Sequence, residues 1–164
     1  MVLQMKTKLI AGGYSLCGDE LLKITIAAKP RGYLGDELAD LLREQGIECE
    51  FSDPDFLVLM LSPETEEAML RRLEGILLRI PARKPVESVP PVFRAMERVM
   101  TIREAAFAPS EKISVAECVG RVLAASTVGC PPAVPIVICG ERLDDHALTC
   151  FSYYGIKNCT VVKE

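Results

Sequence analysis

Glu141 lies between Gly140 and Arg142, at the end of the stretch GRVLAASTVGCPPAVPIVICGE that begins at Gly120. A carboxylate held on a glycine turn can accept charge-assisted hydrogen bonds from a cation, worth roughly 1.5–3 kcal/mol once water is excluded. Two plainer roles compete with this: a solvated turn residue, or a partner for Arg142 or Arg121. His146 follows Asp144 and Asp145 near a helix start, where a protonatable cap-region histidine is expected rather than a catalytic one. Arg103 and Glu104 read as partners within the fold. Arg121, beside the helix-ending Gly120, reads as a tie to carbonyls or carboxylates.

The 7 cysteines are Cys17, Cys49, Cys118, Cys130, Cys139, Cys150 and Cys159. Their number is odd, no C-x-x-C occurs and His146 is the single histidine, so no metal site is expected. Buried, reduced thiols fit better, and with them a reducing, cytoplasmic compartment. Cys17 stands on a Gly-flanked turn with nothing near it in sequence to lower its pKa, so it is not read as reactive.

At 164 residues the chain can hold one ordinary domain or two small ones. With 49% hydrophobic and 26% charged residues it is expected to fold. A net charge of −4 and no long basic run argue against a nucleic-acid surface. No apolar run approaches the ~18–20 residues of a membrane span. The N-terminus lacks the pattern of a secretory signal.

The elements that would position these residues follow from periodicity. Met1 to Asp19 is poorly patterned, with turn signals at Gly12-Gly13 and Gly18-Asp19. Leu21 to Ala28 alternates as a strand, with Leu22, Ile24 and Ile26 on one side and Lys23 and Thr25 on the other; Pro30 and Gly32 stop it. Gly35 to Gln45 predicts a helix with the stripe Leu34, Leu38, Leu41 and Leu42, ended by Gly46. Ile47 to Phe51 predicts a short strand, Ser52 to Asp55 a turn, and Phe56 to Leu61 a central strand. Ser62-Pro63-Glu64 predicts a helix start, with Met69, Leu73, Ile76, Leu77 and Ile80 as the buried stripe as far as about Arg79. The result is an α+β fold: a small mixed or antiparallel sheet covered on one face by two helices.

Pro81 to about 99 reads as a proline-rich linker, so the expected domains are 1–80, 81–99 and 100–164, the last a second small α+β unit. Thr101 to Glu104 fits a capping box, and Ser114 to Glu117 repeats that signal. Val122, Ala124, Ser126 and Val128 share one strand face. Pro131 and Pro132 then force a corner, and Pro135 opens the apolar run Ile136 to Ile138. Asp144 or Asp145 caps a helix through about Tyr153, and Cys159 to Val162 forms a terminal strand.

Several of these pieces occur together. Thr101-Ile102-Arg103-Glu104-Ala105, Ala108-Pro109-Ser110-Glu111-Lys112, Glu117-x-x-Gly120-Arg121-Val122 and Pro131-Pro132-x-x-Pro135 with Gly140-Glu141 resemble the C-terminal domain of the ornithine/lysine/arginine decarboxylases. These are pyridoxal-phosphate enzymes of the aspartate-aminotransferase fold. Asp19 to Arg79 resembles, more loosely, the small domain that precedes it. Cys130, Ala133 and Cys139 depart from the family pattern, which there has an aromatic, a glycine and a proline.

The resemblance implies a lyase of polyamine metabolism whose pyridoxal phosphate sits on a large upstream domain, as a Schiff base with a lysine typically preceded by histidine. None of the eight lysines here follows a histidine. The chain is therefore expected to be a C-terminal piece without catalytic or cofactor-binding residues, binding no cofactor itself. Its partners would be the upstream domain and other copies in a homo-oligomer. Glu141 is the candidate substrate-binding residue, facing the distal cation of a diamino acid. The alternative is a free-standing small-metabolite-binding or regulatory module, since strand-helix-strand-strand-helix also resembles ferredoxin-like ligand-binding domains. An excised domain should further leave an apolar surface on the sheet face away from its helices, around Lys23 and Thr25.

Overall fold

The computed structural model describes residues 1–126 and 135–164, which divide into two units, Met1–Ser88 and Val89–Glu164. The proline corner of the Gly120–Glu141 stretch lies outside the described residues.

The first unit opens with helix α1 (Val2–Ala11), which buries Met5 and Leu9, and strand β1 (Ser15–Cys17). Neither element was expected. Strand β2 (Lys23–Ala27) has the anticipated sidedness, with Ile24 and Ile26 buried. A 3-10 turn at Lys29–Arg31 ends on Gly32 at φ +88°, and helix α2 (Gly35–Arg43) follows. The Glu37 carboxylate accepts the Leu34 N–H at 2.7 Å, satisfying one of the orphan amides at its start.

Strand β3 is Phe51–Ser52, not the expected Ile47 to Phe51. Ile47 N–H still serves the end of α2, donating to Leu42 O, so it cannot also enter a ladder. Strand β4 (Phe56–Met60) is central, as its two apolar faces require. Helix α3 is Glu67–Arg79 and starts later than predicted. The Thr65 hydroxyl accepts the Ser62 N–H at 3.0 Å and the Thr65 N–H donates to Ser62 O, so the Ser-Pro-Glu-Thr run closes a turn instead of capping a helix. The buried stripe moves with the start: Leu70, Leu73, Ile76 and Leu77 face inward, whereas Met69 is exposed.

The sheet order is β1-β2-β4-β3 and every pairing is antiparallel. Ile24 lies opposite Leu59 and Ile26 opposite Leu57, and this face carries the core together with α1, α2 and α3. Three helices cover the sheet, one more than expected.

A polar cluster stabilises the end of β2. Lys29 and Asp55, both buried, pair at 2.7 Å, and Lys29 Nζ also donates to Ser88 O. The Arg31 guanidinium stacks on Tyr14 at 3.9 Å and donates to Gly12 O and Ile80 O. Along this edge runs the proline-rich segment. Arg83 N–H donates to Arg31 O, Val86 N–H to Lys29 O, and Tyr33 Oη to Pro81 O. A Cβ on Gly32 would stand 2.6 Å from the backbone of Arg83 and Lys84 O, which fixes glycine there twice over, by φ and by close approach.

The second unit is built on helix α4 (Ile102–Phe107), strands β5 (Ser110–Ser114), β6 (Leu123–Ala125) and β7 (Asn158–Val162), and helix α5 (Asp145–Tyr153). Strand order is β5-β7-β6, antiparallel, with a bulge between Leu123 and Ala125. Leu123, Cys159 and Val161 pack on Phe151, Cys150 and Ala147 of α5. The Thr101 capping box forms, with Thr101 and Glu104 exchanging both bonds. Ser114 to Glu117 supports only a single 3-10 turn. Ile136 and Val137 are buried and Ile138 is exposed, and the run forms a bend rather than a second strand.

Candidate functional site

The Gly140-Glu141 turn is held from both sides by backbone. Gly140, at φ +90°, accepts the Val99 and Met100 N–H groups and donates to Leu123 O; a Cβ there would collide with Met100 O. Glu141 accepts the Leu123 N–H through its carbonyl and bridges to Arg98. The turn is thereby clamped between β6 and the segment leading into α4.

This clamp buries Glu141, which is 6% exposed. Its Oε2 accepts the Ile138 N–H at 3.0 Å. Neither proposed arginine partner reaches the carboxylate. Arg142 pairs with Glu97 at 3.2 Å and donates to Gly120 O. Arg121 pairs with Glu111 at 2.7 Å and donates to Val162 O, the structural tie its position suggested. Glu141 instead lines a cleft of about 260 Å³ with Phe93, Arg94, Ala95, Pro135, Ile136 and Ile138. A carboxylate among apolar walls and one aromatic ring suits a cation carried on an aliphatic chain. Arg94, which also lines the cleft, pairs with Asp144 at 2.6 Å.

The remaining candidates are structural. Glu104 is spent on the capping box, whose Thr101 hydroxyl and amide hold its carboxyl below the usual range. Arg103 lies over the Phe107 ring. His146 Nε2 is 2.8 Å from Val92 O and 3.7 Å from Cys150 Sγ, which superficially resembles a thiol–imidazole pair. The carbonyl requires a proton on Nε2, so that nitrogen cannot accept from the thiol. Burial also pushes the Cys150 thiol up, opposite to an activated nucleophile. Cys118 and Cys159 are likewise buried, and burial pushes Cys159 up to about 11. Among the described residues no group of His, Cys, Asp and Glu is placed to hold a metal, and no helix is long and apolar enough to cross a membrane.

Pyridoxal phosphate needs an available lysine. Among the described residues Lys29 is the single buried one, and Asp55 and Ser88 O engage it. Lys29 is therefore not available to form a Schiff base. Sequence reasoning missed this Lys29–Asp55 pair altogether. The signal was two cations flanking Pro30 directly after a buried strand.

Comparison with known proteins gives these features a context. Residues 87–159 match the family model "Orn/Lys/Arg decarboxylase, C-terminal domain". The chain is similar to the C-terminal region of the Orn/Lys/Arg decarboxylases. An arginine decarboxylase from Bacillus subtilis is 28% identical over 136 residues, covering 77% of this chain and 27% of that protein. The constitutive lysine decarboxylase of E. coli shares the fold at TM-score 0.64 and 17% identity, over 88% of this chain and 32% of that one. Lysine decarboxylase A from Pseudomonas aeruginosa does so at TM-score 0.63 and 13% identity, over 88% and 30%. The chain thus spans about a quarter to a third of the length of these decarboxylases. Glu141 falls inside the matched decarboxylase domain, as do α4, β5, β6 and α5.

Proposed function

We propose that this chain is the C-terminal portion of a pyridoxal-phosphate-dependent ornithine, lysine or arginine decarboxylase, contributing active-site wall and assembly contacts to an upstream cofactor domain. In such enzymes the cofactor takes up the electrons left by the departing carboxylate. This chain contributes binding instead. Glu141, buried on its clamped turn, faces the distal cation of the substrate, and the apolar cleft wall lies along its aliphatic stem. The observation that carries the reading is a carboxylate 6% exposed, with no arginine on it, opening onto a cleft within the matched domain.

The test is direct. Mixed with stoichiometric pyridoxal phosphate, the chain is expected to gain no lysine-linked absorbance at ~400–430 nm and to decarboxylate none of the three amino acids. A specific chromophore with turnover would overturn the proposal. In a thermal-shift panel of basic amino acids and their amines, no response at micromolar levels is expected. Stabilisation by several degrees with one ligand would favour the free-standing metabolite-binding module.

A further inference from the structure

A second cleft, of about 310 Å³, opens in the first unit at the carboxyl ends of α2 and α3. Tyr33, Ile76 and Ile80 line it and are buried, and Leu41 and Pro81 complete its apolar lining. The Tyr33 hydroxyl is spent on Pro81 O, so the ring offers the cleft no free donor. Three charged groups line the same cleft: Arg79, Arg83 and Glu44. They are not spent on one another. Arg83 stacks on the Tyr33 ring at 4.0 Å and reaches Glu37 only at 3.8 Å. Among the described residues Arg79 and Glu44 have no ion-pair partner. Glu44 is also at the wrong end of a helix. It is the C-cap residue of α2, where the dipole favours a cation. The basic residue of that last turn, Arg43, is already taken by Asp40 and Glu48.

We propose that this cleft binds a free α-amino acid with an aliphatic side chain. The carboxylate is held by Arg79 and Arg83, the ammonium by Glu44, and the side chain lies on Tyr33, Ile76 and Ile80. The charges lining the cleft select this class. A phosphate or other dianion would have Glu44 against it, and a simple amine would have two guanidiniums against it. A zwitterion answers both signs at once, and its ammonium supplies the cation that the end of α2 lacks. Size agrees. At about 310 Å³ the cleft is at the lower end of small-molecule sites, room for a single amino acid rather than a nucleotide. A lysine or arginine ligand would carry a second cation onto the apolar lining, which costs desolvation without a partner. Selectivity therefore runs opposite to that proposed for Glu141.

Exposure sets the strength. Arg79, Arg83 and Glu44 are all exposed, so water and salt screen them, and affinity is expected on the order of 1 mM. The cleft lies wholly in the first unit and outside residues 87–159, so binding here stands or falls separately from the reading of the Glu141 cleft.

Amide and methyl NMR of the full chain, titrated with L-leucine to ~20 mM, should show saturable shifts at Tyr33, Leu41, Ile76 and Ile80. L-lysine, isocaproate (no amine) and isoamylamine (no carboxylate) should each bind more weakly by about fivefold or more. Arg79→Gln, at an exposed position that leaves the fold intact by circular dichroism, should weaken leucine by about fivefold or more. Glu44→Gln should weaken leucine similarly yet leave isocaproate unchanged or tighter, because a repelling carboxylate has gone; lost packing cannot produce that crossing. Arg71→Gln, exposed on α3 but outside the cleft, should leave leucine binding unchanged. No saturable shift at ~20 mM leucine, lysine binding as tightly as leucine, parallel losses of leucine and isocaproate in Glu44→Gln, or an equal loss in Arg71→Gln would each overturn the proposal.

Discussion

Removing the Asp55 carboxylate should damage the first unit more than any exposed ion pair could. Lys29 and Asp55 approach to 2.7 Å with side chains only 10% exposed each, so Asp55→Asn leaves an ammonium buried beside a neutral amide. Breaking a buried pair by removing one partner costs about 3–5 kcal/mol, because the remaining charge keeps its desolvation penalty. Lys29 retains the Ser88 carbonyl, which places the expected loss at the lower end, near 3 kcal/mol. For a unit of this size that corresponds to a fall in Tm of roughly 12–24 °C. Lys29→Met should cost a similar amount, since it leaves the Asp55 carboxylate without its ammonium. The double variant should be milder than the sum, by ~2 kcal/mol or more, since neither charge is then left alone. Urea unfolding at two salt concentrations provides the measurement; the buried pair should resist screening. Single-variant losses below ~1 kcal/mol, or strict additivity, would refute the reasoning and reduce the pair to a surface-like contact.

Two further outcomes are expected. Gly32→Ala should cost about 2 kcal/mol or more in urea unfolding, because φ is +88° and the new methyl meets backbone of Arg83 and Lys84 that no rotamer change can move. Asp144 caps α5 by accepting the Ala147 N–H at 2.9 Å, and that bond, with the Arg94 guanidinium, holds its carboxyl below the usual aspartate range. A lowered folded value means the contribution is present above the unfolded value, near ~3.9, and is lost as pH falls through the folded one. Asp144→Ala should therefore cost ~1 kcal/mol at neutral pH and progressively less below about pH 4.

Where local chemistry decides an element, the sequence was legible. Ile24 and Ile26 alternate with polar neighbours and form β2; Leu38 and Leu42 define α2; the Thr101 capping box forms as written, and of the two aspartates offered as the cap of α5 Asp144 takes the role. Where an element depends on a distant neighbour, it was not legible. In α1 only Met5 and Leu9 are buried, among lysines, Gln4 and Thr7, too sparse a stripe to announce a helix. Three-residue β1 is a strand because β2 offers it an edge. Ser62-Pro63 carried a cap signature, but Thr65 was one residue too well placed and captured the Ser62 amide first. Met69 and Leu70 then exchanged roles by a single position.

Glu141 illustrates the same division at the candidate site. Its type and its glycine neighbour could be read directly, but its burial could not, because that depends on Val99, Met100 and Leu123 donating to or accepting from the Gly140-Glu141 turn across 17 to 41 positions of chain. Burial changes what the carboxylate can do. On a solvated turn a pairing is worth at most ~1 kcal/mol; at 6% exposure a charge-assisted bond is worth two to three times as much, and an empty site is costly. Arg121 and Arg142 both bypass the buried carboxylate, which instead lines a cleft with Arg94, Ile136 and Ile138.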